Sequence, residues 1–294
     1  MIKPRALAPG DRLAVVAPAS PFPRDEFDRG VEELRRLGFE PAYDDSVFAR
    51  RGYVSGDPQA RAAAIQAAWR DPSIAGLIGV RGGYGSVQLL PLLDPGEASR
   101  SRKPFIGYSD LTSILTFLTI GCGLVAFHGP MLARRLGGGE ARYDRASFFA
   151  ALCRREPMGE LAPSALETIH RGEAGGVLLG GTLTQILASL GTPFAFAPPE
   201  GFVLFLDEVG ERPYRLDRMV TQLGQSGLLA KASAIVVGEL PRCDEPSGEP
   251  TARAAMADAL RGFTGPAMTL PFGVACRVIA DGRPRLIIEE AAVD

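Results

Sequence analysis

Four groups of residues in this sequence combine types and spacings that suit chemistry. The first centres on Ser109, in Lys103-Pro-Phe-Ile-Gly-Tyr-Ser-Asp-Leu-Thr112. Pro104 to Ile106 reads as a strand, Gly107 and Tyr108 as a turn, and Asp110 to Thr119 as a helix. Strand, sharp turn and helix would lift a serine hydroxyl off the backbone at the carboxyl edge of a sheet. The first amides of the helix could then hold a negative oxygen. The turn lacks the second glycine of a Gly-x-Ser-x-Gly elbow, and a serine here could equally cap the helix. The second group is Arg81-Gly-Gly-Tyr-Gly85, which follows an apolar run. As a phosphate cradle it lacks the Lys-Ser/Thr of a P-loop and the spacing of a dinucleotide fingerprint. Its glycines could instead admit backbone N–H groups to a reacting carbonyl, with Arg81 receiving a carboxylate through a forked pair. A tight turn that needs positive φ is the other reading.

The third group is acidic: Asp207 and Glu208 end a strand-like run, with Glu211 and Asp217 beyond. A carboxylate at a strand end is what a serine hydrolase uses to orient its histidine. Metal binding is the rival, but no histidine lies nearby. The acids also interleave with Arg212, Arg215 and Arg218, so surface ion pairing is an alternative. The fourth feature is scarcity. The chain has only two histidines, His128 in His128-Gly-Pro-Met131 and His170.

These residues need a scaffold, and the N-terminal half has a clear rhythm. Leu13–Ala17, Phe39–Tyr43, Ile74–Val80 and Leu124–Phe127 read as strands. Asp25–Leu37, with Phe27, Val31, Leu34 and Leu37 at helical spacing, and Pro58–Trp69 read as helices, with a short helix over Val87–Leu93. Alternation at this pitch predicts an α/β fold with a mostly parallel, doubly wound sheet, whose ligand sites lie beyond the carboxyl ends of the strands. Both Arg81-Gly-Gly and Ser109 fall there. Arg154-Arg-Glu-Pro-Met-Gly-Glu-Leu-Ala-Pro163 reads as a crossing, followed by glycine-rich turns from Gly172 to Gly181. The expected domains are 1–155, a linker over 156–172, and a smaller α/β domain with more antiparallel pairing over 173–294. That second domain has helices at Thr182–Leu190, Tyr214–Leu223 and Thr251–Leu260, and strands at Phe202–Leu206, Ala234–Val237 and Pro284–Glu289.

With 46% hydrophobic and 22% charged residues the chain can build ordinary soluble cores, and its net charge of −2 gives no reason to expect nucleic acid or an anionic membrane as partner. Four dispersed cysteines (Cys122, Cys153, Cys243, Cys276) suggest neither a zinc site nor a disulfide framework. Met1-Ile-Lys-Pro-Arg-Ala-Leu7 has no apolar core long enough for a signal peptide, and no stretch reaches membrane-span length, so a cytoplasmic protein is expected.

Taken in order, Arg81-Gly-Gly-Tyr-Gly85, Gly107-Tyr-Ser-Asp-Leu-Thr112, His128-Gly-Pro-Met131, Gly180-Gly-Thr-Leu183 and Leu206-Asp-Glu-Val-Gly-Glu-Arg-Pro-Tyr-Arg-Leu-Asp-Arg218 resemble the LD-carboxypeptidase family of serine peptidases. That family includes muramoyltetrapeptide carboxypeptidases and microcin C immunity peptidases, and the match runs from Leu13 almost to the C-terminus. The resemblance implies a class I glutamine amidotransferase-like N-terminal sheet, a smaller domain with a swivelling β-barrel-like core, and a homodimer. It also implies a Ser-Glu-His triad with neither metal nor cofactor, acting on a small peptide or muropeptide. By this resemblance Ser109 is the nucleophile, the amides of Gly83 and Asp110 form the oxyanion hole, and Arg81, Tyr84 and His128 shape the substrate pocket.

Two positions depart from the family pattern. Relatives place Glu-Asp after the acid's strand; here the order is Asp207-Glu208, which aligns Asp207 and keeps Glu208 as the alternative. Relatives also carry a histidine loop shortly before a Thr-Leu-Pro-Leu-Gly-Val strand. Here Thr269-Leu-Pro-Phe-Gly-Val274 is preceded only by Arg261-Gly-Phe-Thr-Gly-Pro-Ala-Met268, as though a strand and that loop were deleted between Phe263 and Thr264. An alternative reading takes Phe272-Gly-Val274 as Phe-Gly-His with the histidine replaced.

Overall fold

The computed structural model describes residues 1–163, 166–168, 171–259 and 270–294. His170 and the segment around Phe263 and Thr264, on which the histidine question turns, lie outside the described residues. The strands are β1 (Arg12–Val16), β2 (Glu40–Ala42), β3 (Gly76–Gly79), β4 (Phe105–Gly107), β5 (Ala126–His128) and β6 (Gly159–Leu161). They continue as β7 (Gly172–Thr182), β8 (Phe202–Asp207), β9 (Ala232–Val237), β10 (Leu270–Phe272), β11 (Ala275–Ala280) and β12 (Arg285–Ile288). The fold is α/β, with these strands in two six-stranded sheets.

The first compact unit holds Met1–Glu156, β10 and Ala291–Asp294. Its sheet runs β10-β5-β4-β3-β1-β2, parallel throughout except for β10 against β5. Because β1 has β2 on one side and β3 on the other, the strand order reverses there. The crevice at the carboxyl ends of β1 and β3 is where such sheets bind ligands. It carries Pro18-Ala-Ser-Pro21 and Arg81-Gly-Gly.

Helix Arg24–Arg36 buries Phe27, Gly30, Val31 and Leu34 and places Asp25 and Glu26 in its first turn and Arg35 and Arg36 in its last, complementing the helix dipole. Helix Pro58–Arg70 starts with proline at its first turn and an Asp57 cap that accepts the Gln59 amide at 2.9 Å. Its far end is closed by the buried Lys103. The ammonium donates to the carbonyls of Ala68 (2.7 Å), Trp69 (3.0 Å) and Asp71 (2.6 Å). These are carbonyls that a helix terminus otherwise leaves unpaired.

The second unit contains the other sheet, ordered β6-β12-β11-β7-β8-β9. Pairing is antiparallel from β6 to β7 and parallel from β7 to β9. Among the described residues no pair closes β6 onto β9, so the sheet is open rather than a closed barrel.

Two stretches differ from the expectation. The glycines of 172–181, expected in turns, belong to one eleven-residue strand, β7. Gly176 and Gly180 sit where a Cβ would collide with the backbones of Gly201 and Phe205, so glycine here marks close strand approach and not reversal. Part of the expected crossing, Gly159–Leu161, is the edge strand β6, paired with β12.

Candidate active site

Ser109 is separated from β4 by Tyr108 alone, and its φ is +60°, a left-handed conformation that costs an L-residue energy and that few non-glycine residues adopt. The chain beyond it is more segmented than the single helix expected. A tight turn over Ser109–Leu111 leads to an α-helical turn over Thr112–Thr116 and a wider π-helical turn over Phe117–Gly121. In that last region the Thr119 hydroxyl donates to the Leu115 carbonyl at 2.8 Å, the kind of side-chain competition that distorts helices. Neither helical start is capped by a side chain, and the cap positions fall on Tyr108 and Leu111. Ser109 therefore does not serve as an N-cap.

Glycines let the turn sit this close to the sheet. Gly79 ends β3 and Gly107 ends β4, and a Cβ on either would run into Leu111; from Gly107 it would lie 2.6 Å from Leu111 Cδ1. Leu111 thus docks on a floor made by two neighbouring strands that lack side chains there. The loop after β3 approaches from the other side. A Cβ at Gly82 would lie 3.0 Å from Ser109 Cβ, 3.1 Å from Ser109 Oγ and 3.3 Å from the Asp110 amide nitrogen. Gly83, at φ +102°, has no room for a Cβ against Ser20.

The position of this glycine loop is fixed from three sides. The Ser20 amide donates to the Gly82 carbonyl at 3.2 Å, and the Ser20 hydroxyl accepts the Tyr84 amide at 3.1 Å. Asp110 is buried and accepts the Ser86 amide at 2.9 Å, while the Ser86 hydroxyl donates back to the Asp110 carbonyl at 2.6 Å. Arg61, also buried, donates to the carbonyls of Pro18 (2.6 Å) and Gly85 (3.0 Å) and to Gln88 Oε1 (2.6 Å). Burial pushes the Asp110 carboxyl above the usual range, against the opposing hydrogen bonds from Ser86 and Gly85 and the nearby Arg61 cation. Sequence reasoning does not find Ser20, Arg61 or Ser86: Arg61 lies within helix Pro58–Arg70, and for Ser20 and Ser86 the signal is only that each flanks a turn.

Of the other expected pocket residues, Arg81 is half-buried at the end of β3 and donates to the Pro21 carbonyl at 3.1 Å. Tyr84 is exposed, with its ring edge-on to Tyr53 at 5.6 Å. His128 ends β5 and is buried between Tyr108 (5.7 Å between rings) and Phe272 (5.4 Å). Its register partner is Gly107, two residues before Ser109.

In the second unit Asp207 is the last residue of β8, and its Oδ1 accepts the Thr182 hydroxyl at 2.7 Å. That gives the Gly180-Gly-Thr motif a physical purpose. Glu208 is buried: Oε2 accepts the Thr184 amide (2.8 Å) and hydroxyl (2.6 Å), and Oε1 accepts the Val209 amide (2.9 Å). Burial pushes its carboxyl up, with the neighbouring Asp207 adding to the effect and the hydrogen bonds opposing it. Glu208 is thus occupied at the start of helix Leu183–Ser189, whereas Asp207 stands at the strand end. The remaining acids behave as surface groups: Glu211 pairs with Arg215 at 3.1 Å, and Arg212 pairs with Glu245. Among the described residues no cluster of three or more His, Cys, Asp or Glu could hold a metal ion, and no helix is long and apolar enough to cross a membrane.

Comparison with known proteins agrees with this architecture. Residues 13–129 match the LD-carboxypeptidase N-terminal domain and residues 175–278 the LD-carboxypeptidase C-terminal domain. A murein tetrapeptide carboxypeptidase of Pseudomonas aeruginosa is 32% identical over 238 residues, covering 79% of this chain and 77% of that protein. A probable murein peptide carboxypeptidase of Bacillus subtilis is 33% identical over 242 residues, covering 82% and 76%. The solved structure of the wild-type microcin C7 self-immunity protein MccF, a protein of Escherichia coli, shares the fold with a TM-score of 0.91 at 24% identity, covering the whole of both chains. The chain belongs to the LD-carboxypeptidase family.

Proposed function

We propose that this protein is a serine carboxypeptidase that hydrolyses the amide joining an L-centre to a C-terminal D-amino acid in a peptidoglycan-derived tetrapeptide or related peptide. The observation that carries this reading is Ser109 at φ +60° two residues after the end of β4, with Gly82 of the loop after β3 held against it. A hydroxyl presented in that way is the form a nucleophile takes on a strand–turn–helix elbow. In this reading Ser109 Oγ bonds to the scissile carbonyl carbon, and the carbonyl oxygen takes up the negative charge beside the Gly83 and Asp110 amides. Collapse breaks the C–N bond, the D-amino acid leaves with a proton on its nitrogen, and water then hydrolyses the serine ester. Asp207 is the better acid for orienting a base, since Glu208 already spends both oxygens on local amides and a hydroxyl. Arg81, Tyr84 and His128 line or shape the peptide pocket. Residues 1–155 supply the nucleophile and 173–294 the acid, in a cytoplasmic homodimer that uses no metal.

One observation favours a second reading. The proton of Ser109 needs an acceptor, and the only histidines in the sequence are His128, in the His-Gly-Pro turn, and His170. Loss of a triad member leaves only residual catalysis. A relative that kept the pocket without the base would bind muropeptide-like ligands and not turn them over. Treatment with a fluorophosphonate, followed by peptide mass spectrometry, separates the possibilities. An adduct on Ser109 supports the peptidase, and a stoichiometric adduct elsewhere with none at Ser109 overturns it. Peptide binding without any adduct points to the second reading.

A further inference from the structure

We propose that Arg134 joins Arg81 in a two-cation receptor for the C-terminal carboxylate of the peptide; this rests on the peptide-substrate reading above. The chain after the His128-Gly-Pro turn runs alongside the end of β3: the Leu132 amide donates to the Gly79 carbonyl at 3.0 Å and the Ala133 amide to the Val80 carbonyl at 2.9 Å. The next residue on each side is Arg134 and Arg81, so the backbone itself sets the two arginines next to one another. Arg81 is pushed down first by its burial and further by the Arg134 cation, with Glu26 opposing.

Like charges are not brought together without reason, and the local backbone is costly as well. The Arg135 amide donates to the Ala133 carbonyl at 2.7 Å, closing a three-residue turn in which Arg134 has φ +63°. That is the strained hand of the γ-turn, rare for a residue with a side chain. Glycine would be the easy choice here, yet the position holds a long cation.

The neighbouring arginine shows the contrast. Arg135 spends its guanidinium on the Tyr108 hydroxyl (3.2 Å) and the Arg142 carbonyl (3.3 Å). Arg134 is exposed and has no hydrogen bond or acidic partner among the described residues. Among the described residues Arg81 donates only to the Pro21 carbonyl, through Nη1. With Glu26 as the one acid acting on Arg81 among the described residues, the pair keeps a net positive charge at the carboxyl edge of β3, the strand whose following loop abuts Ser109. A carboxypeptidase must recognise a free terminal carboxylate, and two guanidinium groups match it through charge-assisted, forked hydrogen bonds. Arg134 would therefore select for chains that end at the residue to be released.

The test is calorimetric titration of the Ser109→Ala protein, which prevents turnover, with a murein tetrapeptide ending in free D-alanine and with the same peptide as its terminal amide. The free acid should bind about ten-fold or more tightly than the amide. Arg134→Gly should abolish that preference while leaving the unfolding temperature unchanged or raised, because glycine relieves the φ +63° turn. Arg134→Lys should restore part of it, and Arg81→Gln should also weaken it. Equal binding of acid and amide, or full preference retained in Arg134→Gly, overturns the receptor and leaves the peptidase reading standing. Failure of the Ser109→Ala protein to bind either peptide removes the peptide-substrate reading and this inference with it.

Discussion

Replacing Ser109 by glycine should stabilise the fold relative to replacing it by alanine, although both remove the hydroxyl. The difference isolates the backbone, because only alanine keeps a Cβ at φ +60°. Holding an L-residue in the left-handed region costs roughly 1–2 kcal/mol, and glycine is free of that cost. Glycine also gives up more freedom on folding, which returns about 0.4–1 kcal/mol to alanine. The net expectation is that Ser109→Gly is more stable than Ser109→Ala by about 1 kcal/mol, or about 2–4 °C in unfolding temperature for a unit of this size. The assay is paired thermal and urea unfolding of the two variants. Ala67→Gly is the control, an exposed position within helix Pro58–Arg70, where glycine should lose about 1 kcal/mol. If Ser109→Gly is no more stable than Ser109→Ala, or falls below it as the helix control does, Ser109 is not held on a strained turn. The elbow would then be lost as an argument for a nucleophile.

Gly107→Ala should cost about 1–3 kcal/mol in urea unfolding, because the new Cβ would stand 2.6 Å from Leu111 Cδ1. Adding Leu111→Ala should give a total loss smaller than the sum of the two single changes, and strict additivity would refute the docking described for Leu111. Lys103→Met should destabilise the first unit by about 2–3 kcal/mol by leaving three carbonyls at the end of helix Pro58–Arg70 unpaired; a change within about 0.5 kcal/mol, roughly that of a surface substitution, would contradict this. Glu208 has a folded pKa raised above its unfolded value, so its stabilising contribution is fullest below the ordinary glutamate range and declines as pH rises towards the folded value. Glu208→Gln removes that titration. The excess of wild-type over variant unfolding temperature should therefore shrink as pH rises through that window, and a widening gap would show the opposite shift.

The parallel half of the fold is legible in the sequence because its strands are short apolar runs set off by helices with Phe27, Val31 and Leu34 on one face. Ser109 can be picked out because glycine, aromatic and serine sit between a strand and a helix. Its conformation cannot be read, since no residue pattern distinguishes a serine at φ +60° from a helix cap. The glycine-rich stretch over 172–181 misleads for a related reason. Glycine signals positive φ and close backbone approach alike, and at Gly176 the neighbouring backbone decides. The strand Leu270–Phe272 pairs with β5 in the first sheet even though it comes after a long run of second-unit residues, a long-range choice that local periodicity does not encode. The supports of the glycine loop, Ser20, Arg61 and Ser86, escape a reading of the sequence because each comes from a different segment, Arg61 from within helix Pro58–Arg70, and meets the others only in three dimensions. Asp207 and Glu208 can be found as a pair but are told apart only by Thr182 and Thr184, which divide them.

The central claim is that Ser109 cleaves a terminal D-amino acid from a peptide. Its most direct test is mass spectrometry of a disaccharide-tetrapeptide incubated with the protein beside a Ser109→Ala control. The predicted result is release of the terminal D-alanine by the protein and none by the variant. Release that persists in Ser109→Ala, or an intact tetrapeptide after prolonged incubation with the unaltered protein, would contradict it.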